Sequence, residues 1–329
     1  MTNKVRVGII GCGGIAISSH MTHLSQIPEA EIVGLADTNP EQIKLTKERR
    51  PELVDVPGFS THQEMLEKVP MDAVVIATPH TMHYSQIKDA FDAGMHILCE
   101  KPMVCTVQDA NEVISWFNSD PKRIGVIGYQ RRYSGLFRYM RDCIAAGDLG
   151  KVQYVSVLQC QEWLNISNNT WRSDPALSGG GQLNDSGSHV MDILLWLTGL
   201  KPKKVSAYTD NLTAKVDINS VVSVVFDNGA LGNISICGNA PQFHEAFTVV
   251  GDKGCFYFDM SQPLKFADAQ GKLTEITKFP EGTSSTSNFI MAILGREEVG
   301  SPVQGFLPVI TLTEAIWNSA AQGGKPVEV

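Results

Sequence analysis

Three short stretches of this chain carry residues whose types and spacing suit chemistry. Gly11-Cys12-Gly13-Gly14-Ile15-Ala16 reads G-x-G-x-x-A and directly follows an apolar run, Val5–Ile10. In such a loop the first glycine permits a tight strand-to-helix turn, the second lets the backbone approach a pyrophosphate, and the small last residue lets helix and strand pack closely. The pyrophosphate then lies at a helix N-terminus, where unpaired N–H groups and the helix dipole favour negative charge. Gly11, Gly13, Gly14, Ile15 and Ala16 are therefore candidate cofactor contacts. Asp37 ends a second apolar run about twenty residues further on, the place for a carboxylate that accepts from ribose hydroxyls. It would repel a 2′-phosphate, and Thr38 stands where an arginine would welcome one. NAD is the expected cofactor, with NADP disfavoured.

The second stretch is Glu100-Lys101-Pro102, at the end of the apolar run His96–Cys99; Thr78-Pro79 similarly ends Ala73–Ala77. In open α/β sheets ligands gather at these strand ends. Thr78, Pro79, Glu100 and His83 are thus expected near the cofactor, with His83 capping its helix as an alternative. A lysine at residue 101 could hydrogen-bond a substrate hydroxyl and shuttle its proton. The third stretch runs from Gly179-Gly180-Gly181 to His189. If a helix covers it, Asp185 and His189 are four apart and share a face. A neutral histidine can take a hydroxyl proton, Asp185 can bind a second hydroxyl or tune the ring, and Asp192 can orient it. Trp171-Arg172 could stack on a sugar ring and hold a carboxylate or phosphate, or simply pack a loop. Tyr129 and Arg132 are expected to line the same cleft. The pairs His20/His23 and His80/His83 have spacings a metal could use, but neither has a third ligand nearby in sequence, so no metal is expected.

These residues need elements to position them. Ile32–Ala36 and Ile124–Ile127 join Val5–Ile10, Ala73–Ala77 and His96–Cys99 as bare apolar runs, which suit strands buried on both faces of a parallel sheet. Amphipathic segments lie between them, such as His83–Ala93 before Gly94, and predict a doubly wound α/β domain over residues 1–126. From residue 127 to 329 the pattern changes. Lys151–Cys160, Lys204–Tyr208, Ser220–Phe226, Ala230–Cys237, Glu245–Val250 and Cys255–Phe258 read as strands, several with period-two alternation. Turn signals at Asp227-Asn228-Gly229 and Gly251-Asp252-Lys253-Gly254 predict an antiparallel sheet. A helix is expected to continue to about Leu197, with two more near Ser287–Leu294 and Leu307–Ala321 and a loop at Thr283–Ser287.

At 329 residues, two domains are expected. The 27 Lys and Arg against 35 Asp and Glu argue against a general nucleic-acid binder. Seven cysteines show no C-x-x-C spacing, and free thiols in a reducing compartment are expected. Met1-Thr2-Asn3-Lys4 leads into a run that Gly11 breaks too early for a signal peptide, and no run of about 18 apolar residues occurs. A cytoplasmic protein is the expectation.

Taken together, the glycine loop, Thr78-Pro79 with His83, Glu100-Lys101-Pro102, Arg132-Tyr133 and the G-G-x-L-x-D-x-G-x-H-x-x-D run of Gly180–Asp192 occur in an order that resembles the glucose–fructose oxidoreductase / inositol dehydrogenase / rhizopine-catabolism (Gfo/Idh/MocA) family. The end of the chain, from Glu314-Ala315-Ile316 to Lys325-Pro326-Val327, is similar too. The resemblance implies a Rossmann domain followed by an α/β domain with a large, mostly antiparallel sheet. It implies NAD(P)-dependent oxidoreduction of sugars or cyclitols, with Lys101 binding the reacting hydroxyl, His189 as acid/base and Asp185 assisting. It also implies a homodimer or homotetramer formed through the outer face of the second sheet. Two other readings are an NAD-retaining hydrolase or lyase that oxidises its sugar substrate transiently, and a non-catalytic sensor of NAD or sugar. The intact Lys101, Asp185 and His189 count against the sensor.

Overall fold

The structure is a computed structural model that describes residues 4–329; Met1, Thr2 and Asn3, on which part of the leader-peptide reading fell, lie outside the described residues. Its chain divides into two compact units. The first contains six parallel strands, β1 (Val5–Ile10), β2 (Ala30–Ala36), β3 (Gly58–Phe59), β4 (Ala73–Ile76), β5 (His96–Cys99) and β6 (Gly125–Ile127), in the order β3-β2-β1-β4-β5-β6. This is the doubly wound order whose ligand crevice opens beside β1, where the strand order reverses. Every residue of β4 is buried, as its unbroken Ala-Val-Val-Ile run requires. Helices Pro40–Arg49, His62–Lys68, His83–Asp92 and Val107–Ser119 connect the strands. Two residues of strand carry no periodicity, so β3 has no sequence signature.

The expected boundary after residue 126 needs correction. Thr283–Gly305 returns to the first unit. The expected loop at Thr283–Ser287 is instead the start of helix Ser285–Ile293, whose preceding Ser284 side chain accepts the Ser287 N–H. That helix buries Phe289 and Ile290 among Val7, Met21, Leu24 and Leu98 of the first core.

The second unit is built on a nine-stranded sheet: β7 (Val152–Cys160), β8 (Pro202–Asp210), β9 (Asn219–Phe226), β10 (Leu231–Cys237), β11 (His244–Gly251), β12 (Gly254–Asp259), β13 (Leu264–Asp268), β14 (Leu273–Ile276) and β15 (Val327–Glu328). Their order is β14-β13-β12-β11-β7-β10-β9-β8-β15. All pairs are antiparallel except β7 with β10, where the chain leaves β7 through the site loops and comes back in the same direction. One face packs on helices Gly135–Ala146, Gly187–Thr198 and Leu307–Ala321, giving a core that includes Val155, Val157, Leu194, Phe247 and Ile316. The alternate residues Tyr154, Leu158, Tyr208, Val221, Leu231 and Tyr257 stand exposed on the other face. Among the described residues no helix is long and apolar enough to cross a membrane.

Candidate functional site

In the first unit, the glycine loop leaves β1 with Gly11 at φ +88°. A Cβ there would stand 2.6 Å from the Ala77 carbonyl oxygen, so only glycine fits. At Gly13 and Gly14 a Cβ would meet nothing within 4 Å: the side of the loop that must admit a pyrophosphate is open. Ala16 is fully buried against the sheet and begins a π-helical stretch, Ala16–His20, that runs on into Met21–Ser25. Ile15 is exposed. The loop is tied to the next strand end by Asp37, whose Oδ2 accepts the Cys12 N–H at 2.9 Å while Oδ1 accepts the Asn39 N–H at 2.9 Å. Gln42 and Thr46 donate to the Cys12 carbonyl. Burial and the Asp37 charge push the Cys12 thiol up to about 12, which leaves it no nucleophilic role near neutrality. These features fit a dinucleotide: an open glycine loop, with a carboxylate already seated at the end of β2.

Glu100-Lys101-Pro102 leaves the end of β5 with a cis peptide between Lys101 and Pro102. The Glu100 carboxylate is engaged by protein partners. Its Oε1 lies 3.0 Å from His20 Nε2, and its Oε2 accepts the Lys101 N–H at 3.2 Å. Burial pushes this carboxyl up, but the His20 hydrogen bond and the His20 and Lys101 charges outweigh it and hold it below the usual range. His83 is likewise internal. Its ring is fully buried, with Nδ1 2.8 Å from the Pro102 carbonyl and Nε2 3.0 Å from the Thr78 carbonyl. Burial holds it below the ordinary histidine range, so a neutral ring braces the two strand-end loops against each other. It begins helix His83–Asp92, and its ring spans the two loops. Thr78 donates its hydroxyl to Gln86 beside Pro79. Tyr129 is 1% exposed.

In the second unit, the helix bearing His189 begins at Gly187, so Asp185 lies in the turn before it and not on its face. That turn is shaped by Asp217, a residue with no local sequence signal. Its carboxylate accepts the Gly181 and Leu183 N–H groups and the Trp317 indole N–H, and its carbonyl accepts from Gln182. Burial pushes Asp217 up against the pull of these donors. A Cβ on Gly181 would lie 2.0 Å from the Asp217 carbonyl oxygen, which explains one glycine of the run. Asp185 is buried, and its Oδ2 accepts both the Trp163 indole N–H and Arg172 Nε, each at 2.9 Å. Arg172 also stacks on Trp171, 4.3 Å from the ring centroid. The carboxylate that Arg172 holds is therefore the protein's own.

Asp192 is engaged by an arginine. It forms a buried two-pronged ion pair with Arg132, from Nε at 3.0 Å and from Nη2 at 2.5 Å. The Arg132 guanidinium also lies 4.2 Å from the Phe306 ring centroid. Burial pushes Asp192 up, and the Arg132 charge opposes it. A second buried pair, Arg131 with Glu245, shares Glu245 Oε2 with the Gln159 amide. Among the described residues, no three His, Cys, Asp or Glu side chains are grouped to hold a metal ion.

Comparison with known proteins matches residues 5–128 to the family described as "Oxidoreductase family, NAD-binding Rossmann fold" and residues 137–257 to the "GFO/IDH/MocA C-terminal domain". The oxidoreductase YteT of Bacillus subtilis is 30% identical over 182 residues, 54% of this chain but only 42% of YteT. The rhizopine catabolism protein MocA of Rhizobium meliloti is 26% identical over 319 residues, covering 95% of this chain and 94% of MocA. D-glucoside 3-dehydrogenase of Escherichia coli is 26% identical over 63% of this chain and 58% of its own. Among solved structures, the WlbA dehydrogenase from Bordetella pertussis in complex with NADH and UDP-GlcNAcA superposes with a TM-score of 0.82 at 26% identity, over 99% of both chains.

Proposed function

Because the chain belongs to the Gfo/Idh/MocA family of oxidoreductases, we propose that it is an NAD-dependent dehydrogenase that moves a hydride between a secondary alcohol of a sugar or cyclitol and nicotinamide. The observation that carries this reading is the Asp37 carboxylate, seated by the amide of the glycine loop at the end of β2, where a carboxylate would accept from ribose hydroxyls and repel a 2′-phosphate. That favours NAD over NADP. The sugar class draws support from the names of D-glucoside 3-dehydrogenase and of the WlbA complex. The cofactor, when bound, supplies the hydride chemistry. Gly13 and Gly14 admit its pyrophosphate. Lys101 holds the reacting hydroxyl. His189 takes or returns the hydroxyl proton, and Asp185, held by Arg172 and Trp163, binds a further hydroxyl.

The exposed Tyr154, Tyr208, Val221, Leu231 and Tyr257 on the outer sheet face support assembly into a dimer or tetramer through that face. Seven unbridged cysteines support a reducing, cytoplasmic setting. The test is absorbance of the reduced cofactor across a panel of inositols, aldoses, glucosides and sugar acids, with both NAD⁺ and NADP⁺. Turnover with NAD⁺ on at least one polyol, abolished in Lys101→Met and His189→Asn, is expected. Wild-type turnover in both variants would overturn the assignment.

A further inference from the structure

We propose that His20 is a positioning residue for Lys101, acting through Glu100, and that residue 128 is a glycine because that carboxylate must be seated against it. The inference rests on the reading of Lys101 given above. Three segments far apart in sequence converge here inside the first unit. The His20 ring, 1% exposed, lies with Nδ1 2.9 Å from Thr286 Oγ1 and Nε2 3.0 Å from Glu100 Oε1. A carboxylate only accepts, so a ring hydrogen belongs on Nε2, and in the neutral tautomer Nδ1 is then left to accept from the threonine hydroxyl. Glu100 Oε2 then accepts the backbone N–H of Lys101. The result is a directed chain: Thr286 donates to His20, His20 to one carboxylate oxygen, and the Lys101 amide to the other.

This arrangement fixes the peptide from which the lysine side chain springs. A Cβ on Gly128 would come within 2.7 Å of Glu100 Oε1 and 3.3 Å of the Glu100 Cα, so any side chain there would force the carboxylate off His20. The Glu100 and Gly128 backbones are themselves held by the Ile76 and Cys99 carbonyls, so the seat is rigid and the carboxylate is the adjustable part. His20 thus has a task beyond packing, and one that its spacing to His23 in the sequence did not suggest.

The geometry separates the two ends of the ring, and the test uses that. Glutamine can place an amide N–H where Nε2 stands, whereas asparagine reaches only as far as Nδ1. His20→Ala and His20→Asn are expected to lower kcat/KM on the panel's best substrate by tenfold to about a hundredfold, the cost of misplacing a catalytic group by an ångström. His20→Gln should restore it to within a few-fold, and dissociation of NADH, followed by its fluorescence, should stay within about twofold in all three. In a Glu100→Gln background His20→Ala should add little further loss, and Gly128→Ala alone should resemble His20→Ala. In the protein without cofactor or substrate, nitrogen-15 spectra of the imidazoles should show His20 protonated on Nε2. Glu100→Gln should shift that nitrogen, and Thr286→Val should shift Nδ1. Full additivity of His20→Ala with Glu100→Gln, failure of glutamine to rescue, or a hydrogen on Nδ1 would overturn the proposal. Normal turnover by Lys101→Met would instead overturn the role assigned to Lys101, and the imidazole spectra would still report on the His20–Glu100 link.

Discussion

Arg172 donates from Nε to the same oxygen of Asp185, Oδ2, that receives the Trp163 indole N–H. Two donors from one loop thus converge on one atom of the turn before His189. Arg172→Met should lower kcat/KM by about tenfold, the size of one charge-assisted hydrogen bond, and should leave NADH binding unchanged. Arg172→Lys should not rescue, because an ammonium cannot both reach Asp185 from the Nε position and stack on Trp171. Steady-state kinetics of the two variants test this; recovery in the lysine variant would contradict it.

The Arg132–Asp192 pair carries stability rather than substrate. Both side chains are nearly fully buried, 6% and 1% exposed. Arg132→Met strands a buried carboxylate and should cost about 3–5 kcal/mol in urea denaturation. The double change Arg132→Met with Asp192→Leu removes both charges and should cost less than the single one.

Two glycines of one loop should fail in different ways. Gly11→Ala collides with the Ala77 carbonyl at positive φ and should lower the melting temperature markedly. Gly13→Ala projects into open space and should melt like wild type while losing NADH affinity. Melting curves and nucleotide titrations, run side by side, separate the two.

Asp37→Ser removes the carboxylate seated on the Cys12 amide. NADH should bind about tenfold more weakly, through lost hydrogen bonds to a charged group. The preference over NADPH should shrink further because the repulsion is gone. Unchanged discrimination would move the source of NAD preference elsewhere.

Acid should expose Glu100. Its folded pKa lies below the ordinary value, so the stability it contributes is fully present above that value and is lost as pH falls through the folded one. From roughly pH 5 downward, wild-type stability should drop more steeply than that of Glu100→Gln. Asp192, pushed up by burial, acts in the opposite sense, so the difference between the two curves isolates Glu100.

Much of the framework was legible because burial on two faces leaves an unbroken apolar run. Val5–Ile10 and His96–Cys99 were read to the residue, as was the terminal helix Leu307–Ala321. The strands toward the ends of the second sheet were not. β13, β14 and β15 are largely half-exposed or exposed, so their patterns are weak. Within the site, residue types were read more easily than their partners. Glu100, Arg132 and Arg172 stood out as charged groups, but spacing along the chain could not reveal that His20, Asp192 and Asp185 engage them. Those contacts join positions 13 to 80 residues apart. Asp217 shapes the glycine turn from 34 and 36 residues away, in a segment with no motif at all.

Because Thr283–Gly305 completes the first unit, the nucleotide-binding half is not a contiguous stretch of gene. A fragment cut near residue 130 would lack Phe289 and Ile290, leaving Met21 and Leu24 without part of their packing and His20 without Thr286. Exchanging this half with that of a relative would therefore mean transplanting two separate segments together, and a single crossover near residue 130 would yield an incomplete core.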